Sequence, residues 1–295
     1  MSKVIVIGSV NIDYTIYVDE FPKVGETLLG NKKIAALGGK GVNQAIAIKN
    51  AGADVSFVCF VGKDECAKQI KEHVNHYGLK TYFNEVDMDS GNAYIFVDKH
   101  SNNEIVVLSG ANFVHDLSLI KKYHSQIDEA EYIVLQNEID PEMNEYIIKT
   151  YGKTHKIVLN PAPGKPIKEE LIPYLYCITP NEGELKLITG EEFPTGVQTL
   201  LDKGVKNIVV TLGEQGCFFA NKDEQFKVPA FKVHAIDTVA AGDTFLGFFV
   251  GSLATGKSIK DALVYASAGA GLSTTKSGAA PSIPSLDEVE KFLKR

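Results

Sequence analysis

At 295 residues, with 44% hydrophobic content and a formal net charge of -7, the chain is long enough for one large α/β core and too acidic to offer the basic footprint that nucleic-acid binding requires. No apolar run approaches the roughly 20 residues that cross a bilayer, and the opening MSKVIVIGS is too brief for a secretory leader. Nucleic acid and membrane are therefore not expected partners. Cys59, Cys66, Cys177 and Cys217 are scattered without a C-x-x-C pair, Cys59 inside the apolar run VSFVCFVG, so a reduced, cytoplasmic protein is expected.

From the N-terminus, short β-branched runs alternate with amphipathic segments: KVIVIGSV, GVNQAIAIKNAG, DVSFVCFVG, CAKQIKEHVNHYG, EYIVLQNEI, PEMNEYIIKTYG, KIVLNPAP, ELKLITG and KNIVVTLG. This rhythm predicts a doubly wound, mostly parallel sheet between two helical layers. Residues 13–36 and 92–108 break it, alternating apolar and polar at period two, with Asn102-Asn103 as a hairpin turn. They predict a small antiparallel β lid inserted into a single domain spanning 1–295. Its free apolar face implies pairing with a second copy, a homodimer through the lid.

Several stretches carry chemistry. In GSVNIDY, Asn11 and Asp13 follow the first strand at period two, on one face, and suit vicinal hydroxyls; an Asx turn is the plainer alternative. In LGGKGVNQA, Gly38, Gly39 and Gly41 let backbone approach a ligand while Lys40 and Asn43 project polar groups, although an ordinary capped turn reads the same way. His73 and His76 lack a third ligand nearby and read as surface residues. Glu138 closes YIVLQNE at a strand's carboxyl end, where open α/β sheets bind ligands. Asn181, Glu182 and Glu184 open a helix in TPNEGEL, suited to water-mediated magnesium or simply an acidic first turn.

DTVAAGDTF places Ala240, Ala241 and Gly242 at a helix start, whose unpaired N–H groups form an anion hole for a phosphoryl group. Asp243 beside it can accept a proton from an attacking hydroxyl, or merely stabilise the helix N-terminus. The octet GSLATGKS matches the phosphate-loop pattern G-x-x-x-x-G-K-[ST]. A phosphate loop needs a preceding strand, however, and Phe245, Phe248, Phe249 and Leu253 upstream recur at helical spacing. The octet therefore reads as a helix end, a turn and the N-cap Ser258, with Lys257 in solvent.

In order along the chain, GSVNIDY, FPKVGET, GGKGVNQA, SGAN, NPAP, TPNE, TLGEQG, DTVAAGDTF and SGAAPSIP together resemble the ribokinase branch of the PfkB carbohydrate and nucleoside kinases. The resemblance implies a three-layer kinase fold and ATP-dependent phosphorylation of the 5-hydroxyl of D-ribose, with Mg2+ and a K+ activator. It implies Asp243 as the base with the amides of Ala241 and Gly242, and Ala240 before them, as the anion hole. Asn11, Asp13, Gly39, Lys40, Gly41, Asn43 and Glu138 resemble the sugar contacts. Asn181, Glu184, Thr211, Leu212, Gly213, Gly216, Gly242 and Ser267 resemble the nucleotide contacts. Asp237, Val239, Ser273, Lys276, Gly278 and Ser282 resemble a monovalent-cation loop. Ser267, Leu246 and Lys276 differ from the family's commoner residues. Another PfkB kinase acting on fructose, a deoxy-sugar or a nucleoside, a non-catalytic sugar sensor and a phosphate-loop NTPase are the alternatives.

Overall fold

The computed structural model describes residues 2–100 and 102–294. Among these residues the strands in chain order are β1 (Lys3–Ile7), β2 (Asn11–Tyr17), β3 (Lys32–Gly38), β4 (Asp54–Val61), β5 (Lys80–Glu85), β6 (Asn92–Val97), β7 (Asn103–Leu108), β8 (Tyr132–Gln136), β9 (Lys156–Asn160), β10 (Leu175–Ile178), β11 (Asn207–Thr211), β12 (Cys217–Asn221) and β13 (Gln225–Val228). The helices are α1 (Lys40–Asn50), α2 (Glu65–His76), α3 (Ser118–Lys121), α4 (His124–Asp128), α5 (Pro141–Tyr151), α6 (Glu182–Thr189), α7 (Thr195–Asp202), α8 (Ala241–Ala254), α9 (Ile259–Ser273) and α10 (Leu286–Leu293).

Nine strands form one sheet in the order β13-β12-β11-β10-β9-β8-β1-β4-β5, parallel from β11 to β5 and antiparallel at β12 and β13. Alternating side chains feed two cores: Val4 and Val6 of β1 pack with α1, α8 and α9, while Ile5 and Ile7 pack with α5 and α7 on the other face. The fold is therefore three-layered and doubly wound. Its strand order reverses between β8 and β1, and ligands of such sheets bind at the strands' carboxyl ends beside that reversal.

A second sheet has the order β3-β2-β6-β7. Its outer pairs are antiparallel and its central pair, β2 with β6, runs parallel with Asp13 opposite Ala93. Period two identified these strands, and tertiary pairing chose their neighbours. The stretch between β2 and β3 holds no strand and is largely exposed. The β6–β7 turn begins earlier than Asn102-Asn103 suggests, because Asp98 Oδ1 accepts the N–H groups of His100 and Asn102, at 2.8 and 2.9 Å. Asn103 then belongs to the strand. Edge strand β7 leaves Ile105, Val106, Val107 and Leu108 more than half exposed.

The octet at 251–258 is the end of α8, a turn and the start of α9, with Ser258 Oγ accepting the Asp261 N–H at 3.1 Å. Lys257 is only half exposed, its Nζ lying 4.6 Å over the Tyr265 ring. His73 and His76 are exposed on α2. No described helix is long and apolar enough to cross a membrane.

Candidate active site

The glycines of LGGKG draw α1 onto the β1–β2 turn. Gly39 caps α1 at φ 102°, a backbone region that favours glycine. At Gly38 an added Cβ would come within 2.0 Å of Asp13 Oδ2, so the missing side chain there is the space that the carboxylate occupies. Gly41, expected among the sugar contacts, packs on the Gly8–Ser9 backbone and gives its N–H to Ser9 Oγ at 3.3 Å.

Glu138 sits just past β8 and accepts from Ser9 Oγ at 2.6 Å and the Lys40 N–H at 3.0 Å, tying α1 to the sheet's reversal. Burial, reinforced by the charge of Glu138, pushes the Asp13 carboxyl up to about 6. Asn11 is oriented by a residue that the sequence left unassigned. Asn112, fully buried, donates to Asn11 Oδ1 at 2.8 Å and accepts from the Val10 N–H at 3.0 Å. The Asn11 amide nitrogen is thereby left as the end free to donate.

Asp243 lies in the first turn of α8, only 6% exposed. Its Oδ2 accepts from Asn43 Nδ2 at 3.1 Å and its Oδ1 from Gln44 Nε2 at 2.9 Å. Burial raises its pKa, opposed by the Lys40 charge and these two amides. Lys40 in turn is held charged chiefly by Asp243. A buried carboxylate of raised basicity, facing a charged lysine and two amide donors, suits proton abstraction.

The free amides at the start of α8 differ by one residue from those expected of an anion hole. Ala240, at φ 59°, is the only non-glycine with positive φ among the described residues, and it turns the chain into α8. The Ala241 N–H donates back to Thr238 O at 3.2 Å. The N–H groups of Gly242 and Asp243, one residue further on, are the ones without a protein partner among the described residues, and they lie at the positive end of the helix.

Two cavities meet here. One of 860 Å³ runs along α9 and the segment after β13, and one of 220 Å³ contains Lys40 and Asp243; Asn181, Thr211, Thr238, Gly242 and Phe245 line both. Asn181 caps α6, with a reciprocal box in which its Oδ1 accepts the Glu184 N–H at 2.8 Å and Glu184 Oε2 accepts the Asn181 N–H at 2.9 Å. The ordinary capping role is thus realised, while Glu184 still faces Lys40 and Asp243, its pKa raised by burial. Thr211, Gly213 and Gly216 form the turn at the end of β11 on the larger cavity. The Leu212 side chain is buried in the core, its N–H donated to Gly216 O at 2.8 Å. Ser267 lines the larger cavity and donates to Pro229 O at 3.1 Å.

The six residues of the expected cation loop come from two segments tied together by Asp237. Its Oδ1 accepts the Val239 N–H and its Oδ2 the Gly278 N–H, each at 2.9 Å, while the N–H groups of Ile236 and Asp237 both donate to Thr274 O. The Ser273 and Ser282 hydroxyls are spent on Ala270 O and Ala279 O, and Lys276 reaches away to Glu288 at 2.8 Å. The donors remaining are a carboxylate and backbone carbonyls, an oxygen-only set that fits a large monovalent cation.

The pfkB family carbohydrate kinase model matches residues 1–286. A ribokinase of Haemophilus influenzae is 38% identical over 300 residues, covering 98% of this chain and 97% of the relative. A deoxyribokinase of Salmonella typhi is 35% identical over 301 residues, covering 98% and 97%. The solved structure of Arabidopsis thaliana ribokinase complexed with ribose and ATP superposes with a TM-score of 0.90 at 29% identity, covering 100% of this chain and 99% of that one.

Proposed function

From the premise that this chain belongs to the PfkB family of carbohydrate kinases, we propose that it moves the terminal phosphoryl group of ATP to the 5-hydroxyl of D-ribose, giving D-ribose 5-phosphate and ADP. The observation that carries this reading is the meeting of the two cavities at the start of α8, where one turn of backbone presents both the free amides and the buried carboxylate of Asp243.

The sugar binds beside the smaller cavity, on the α1 side, where Lys40 and Asp243 are the two of its contacts that line that cavity. Asn11 donates and Asp13 accepts at its hydroxyls, with Gly39, Lys40, Asn43 and Glu138 around them, while the larger cavity takes the nucleotide. Asp243 accepts the proton of the 5-hydroxyl as its oxygen bonds to the terminal phosphorus and the bond to the leaving ADP oxygen breaks. Lys40 and the amides of Gly242 and Asp243 face the charge on the phosphoryl oxygens. Magnesium bound with ATP would supply further neutralisation, and Glu184, a carboxylate lining the smaller cavity, would hold it through water. Potassium fits the loop of Asp237 and the carbonyls around Val239, Ser273, Lys276, Gly278 and Ser282, which borders the anion hole.

We further infer one catalytic unit over residues 1–295 with the β2/β3 and β6/β7 sheet as its lid, paired with a second copy through the apolar edge strand β7. Four free cysteines are in keeping with a cytoplasmic location.

The test is a panel of D-ribose, 2-deoxy-D-ribose, D-fructose and nucleosides with MgATP, read by ADP release. Ribose is expected to give the highest kcat/KM. A higher value for the deoxy-sugar would reassign the substrate, and the absence of sugar-dependent ADP release would favour a sensor.

A further inference from the structure

The sequence marked Asn43 and passed over its neighbour. Gln44, on α1, is fully buried, and its amide is used almost completely: Nε2 donates to Asp243 Oδ1 at 2.9 Å and to Asn160 Oδ1 at 3.2 Å, and Oε1 accepts from Gln136 Nε2 at 2.8 Å. We propose that Gln44 is the positioning residue of the candidate base, aiming Asp243 and keeping it in its acceptor form. The proposal deepens the kinase reading and rests on it.

The orientation of Gln44 is over-determined. Turning its amide over would set Oε1 against the Asp243 carboxylate and its NH2 against that of Gln136. Gln136, also fully buried at the end of β8, is itself confined, because an added Cβ at Gly8 would come within 2.0 Å of its Oε1. Asn160 gives its own amide N–H to Thr179 O at 3.1 Å and so presents its oxygen to Gln44. Partners on α8, β8 and β9 thus agree on one placement. Asn43 differs, since its Oδ1 is buried without a partner among the described residues and nothing on that side fixes its amide.

The charged groups facing Asp243 are Lys40 from α1, Glu138 from beyond β8 and Glu184 from α6. Lys40 favours the carboxylate, and burial and the two glutamates oppose it. A donor removed at Gln44 shifts that balance toward the protonated acid and frees the carboxylate to rotate.

The experiment is Gln44→Met, which keeps length without the donor, assayed for kcat against pH at saturating ribose and MgATP. The acid limb is expected to move up by about one pH unit, with kcat at neutral pH down roughly tenfold or more and the KM for ribose changed less than about threefold. A merely structural role would lower kcat equally at every pH, and an unmoved limb would overturn the proposal. Gln136→Met, which unfastens Gln44 from behind, should move the limb in the same direction by less; should Gln44→Met fail to give a cooperative thermal melt, an unmoved limb in Gln136→Met decides against the proposal instead. Wild-type protein without ribose phosphorylation would overturn the ribose reading, whereas active wild type with unmoved limbs overturns only the role of Gln44.

Discussion

The two halves of the cleft are built by different means. On the α1 side, polar side chains hold one another at fixed distances: Asn112 on Asn11, Ser9 on Glu138, Asn43 and Gln44 on Asp243. On the α9 side the wall is Phe231, Val233, Phe245 and Ala270, and the hydroxyls of Ser267 and Thr274 are spent on Pro229 O and Gly271 O. The first half can tell hydroxyl groups apart by direction, while the α9 wall of the second offers shape and backbone. Single-group changes should therefore act strongly on the sugar side and at the base, and weakly around the nucleotide.

The largest effect is expected at the junction of the halves. Asp243→Asn removes the proton acceptor and should lower kcat by about 10²–10⁴-fold, with the KM for ribose little changed. Steady-state kinetics check this, and near-normal turnover would mean that the carboxylate only stabilises the start of α8.

Next is Asp13→Ala, which leaves sugar hydroxyls unpaired at a cost of about 1–3 kcal/mol; the KM for ribose should rise accordingly while that for ATP stays put. Equal rises in both would erase the distinction between the halves. The same carboxyl gives a pH signature. Its folded-state value of about 6 lies above the ordinary 3.8, so the folded chain binds this proton more tightly than the unfolded one. Its contribution to stability is then present below about 3.8 and lost as pH rises through about 6. Sugar capture needs the ionised acceptor and runs the other way: kcat/KM for ribose should fall as pH drops below about 6. Thermal melts and kinetics over one pH series would show the two trends crossing.

How much of this could be read in the chain itself depends on how far each partner lies along it. Short-range signals survived. The glycines of LGGKG, the placement of Asp243 at a helix start and the rejection of GSLATGKS as a phosphate loop all rest on neighbours within a turn or two. Long-range choices did not. Gln44 owes its role to Gln136 and Asn160, and Asn112 owes its role to Val10 and Asn11, contacts that no local pattern encodes. The parallel pairing of β2 with β6 was hidden for the same reason, since alternation marks a strand without naming its neighbour. That the free amides at the start of α8 are those of Gly242 and Asp243, and not that of Ala241, follows from one backbone bond, Ala241 to Thr238 O, beside the left-handed turn at Ala240.

A smaller effect tests the loop behind the junction. Titrating potassium into enzyme assayed in sodium should raise kcat several-fold with less change in either KM, because the Asp237 loop shapes the turn into α8 without touching substrate. A rate independent of the monovalent cation would remove the ion from this account and leave Asp237 as a clasp between Val239 and Gly278.

The smallest effect is expected at Ser267, and it probes the nucleotide half directly. Its hydroxyl lies on the wall of the larger cavity, yet its proton is committed to Pro229 O, so what it fastens is α9 to the segment following β13. Removing it in Ser267→Ala should cost about 0.5–1.5 kcal/mol of stability, the net worth of one such bond, seen as a lower midpoint in denaturant. The KM for ATP should stay within about twofold, because the purine would lose no directional contact and the alanine methyl keeps the wall apolar. A KM for ATP raised tenfold, with that for ribose unchanged, would show a side chain reading the base after all, and the two halves would then differ in degree and not in kind.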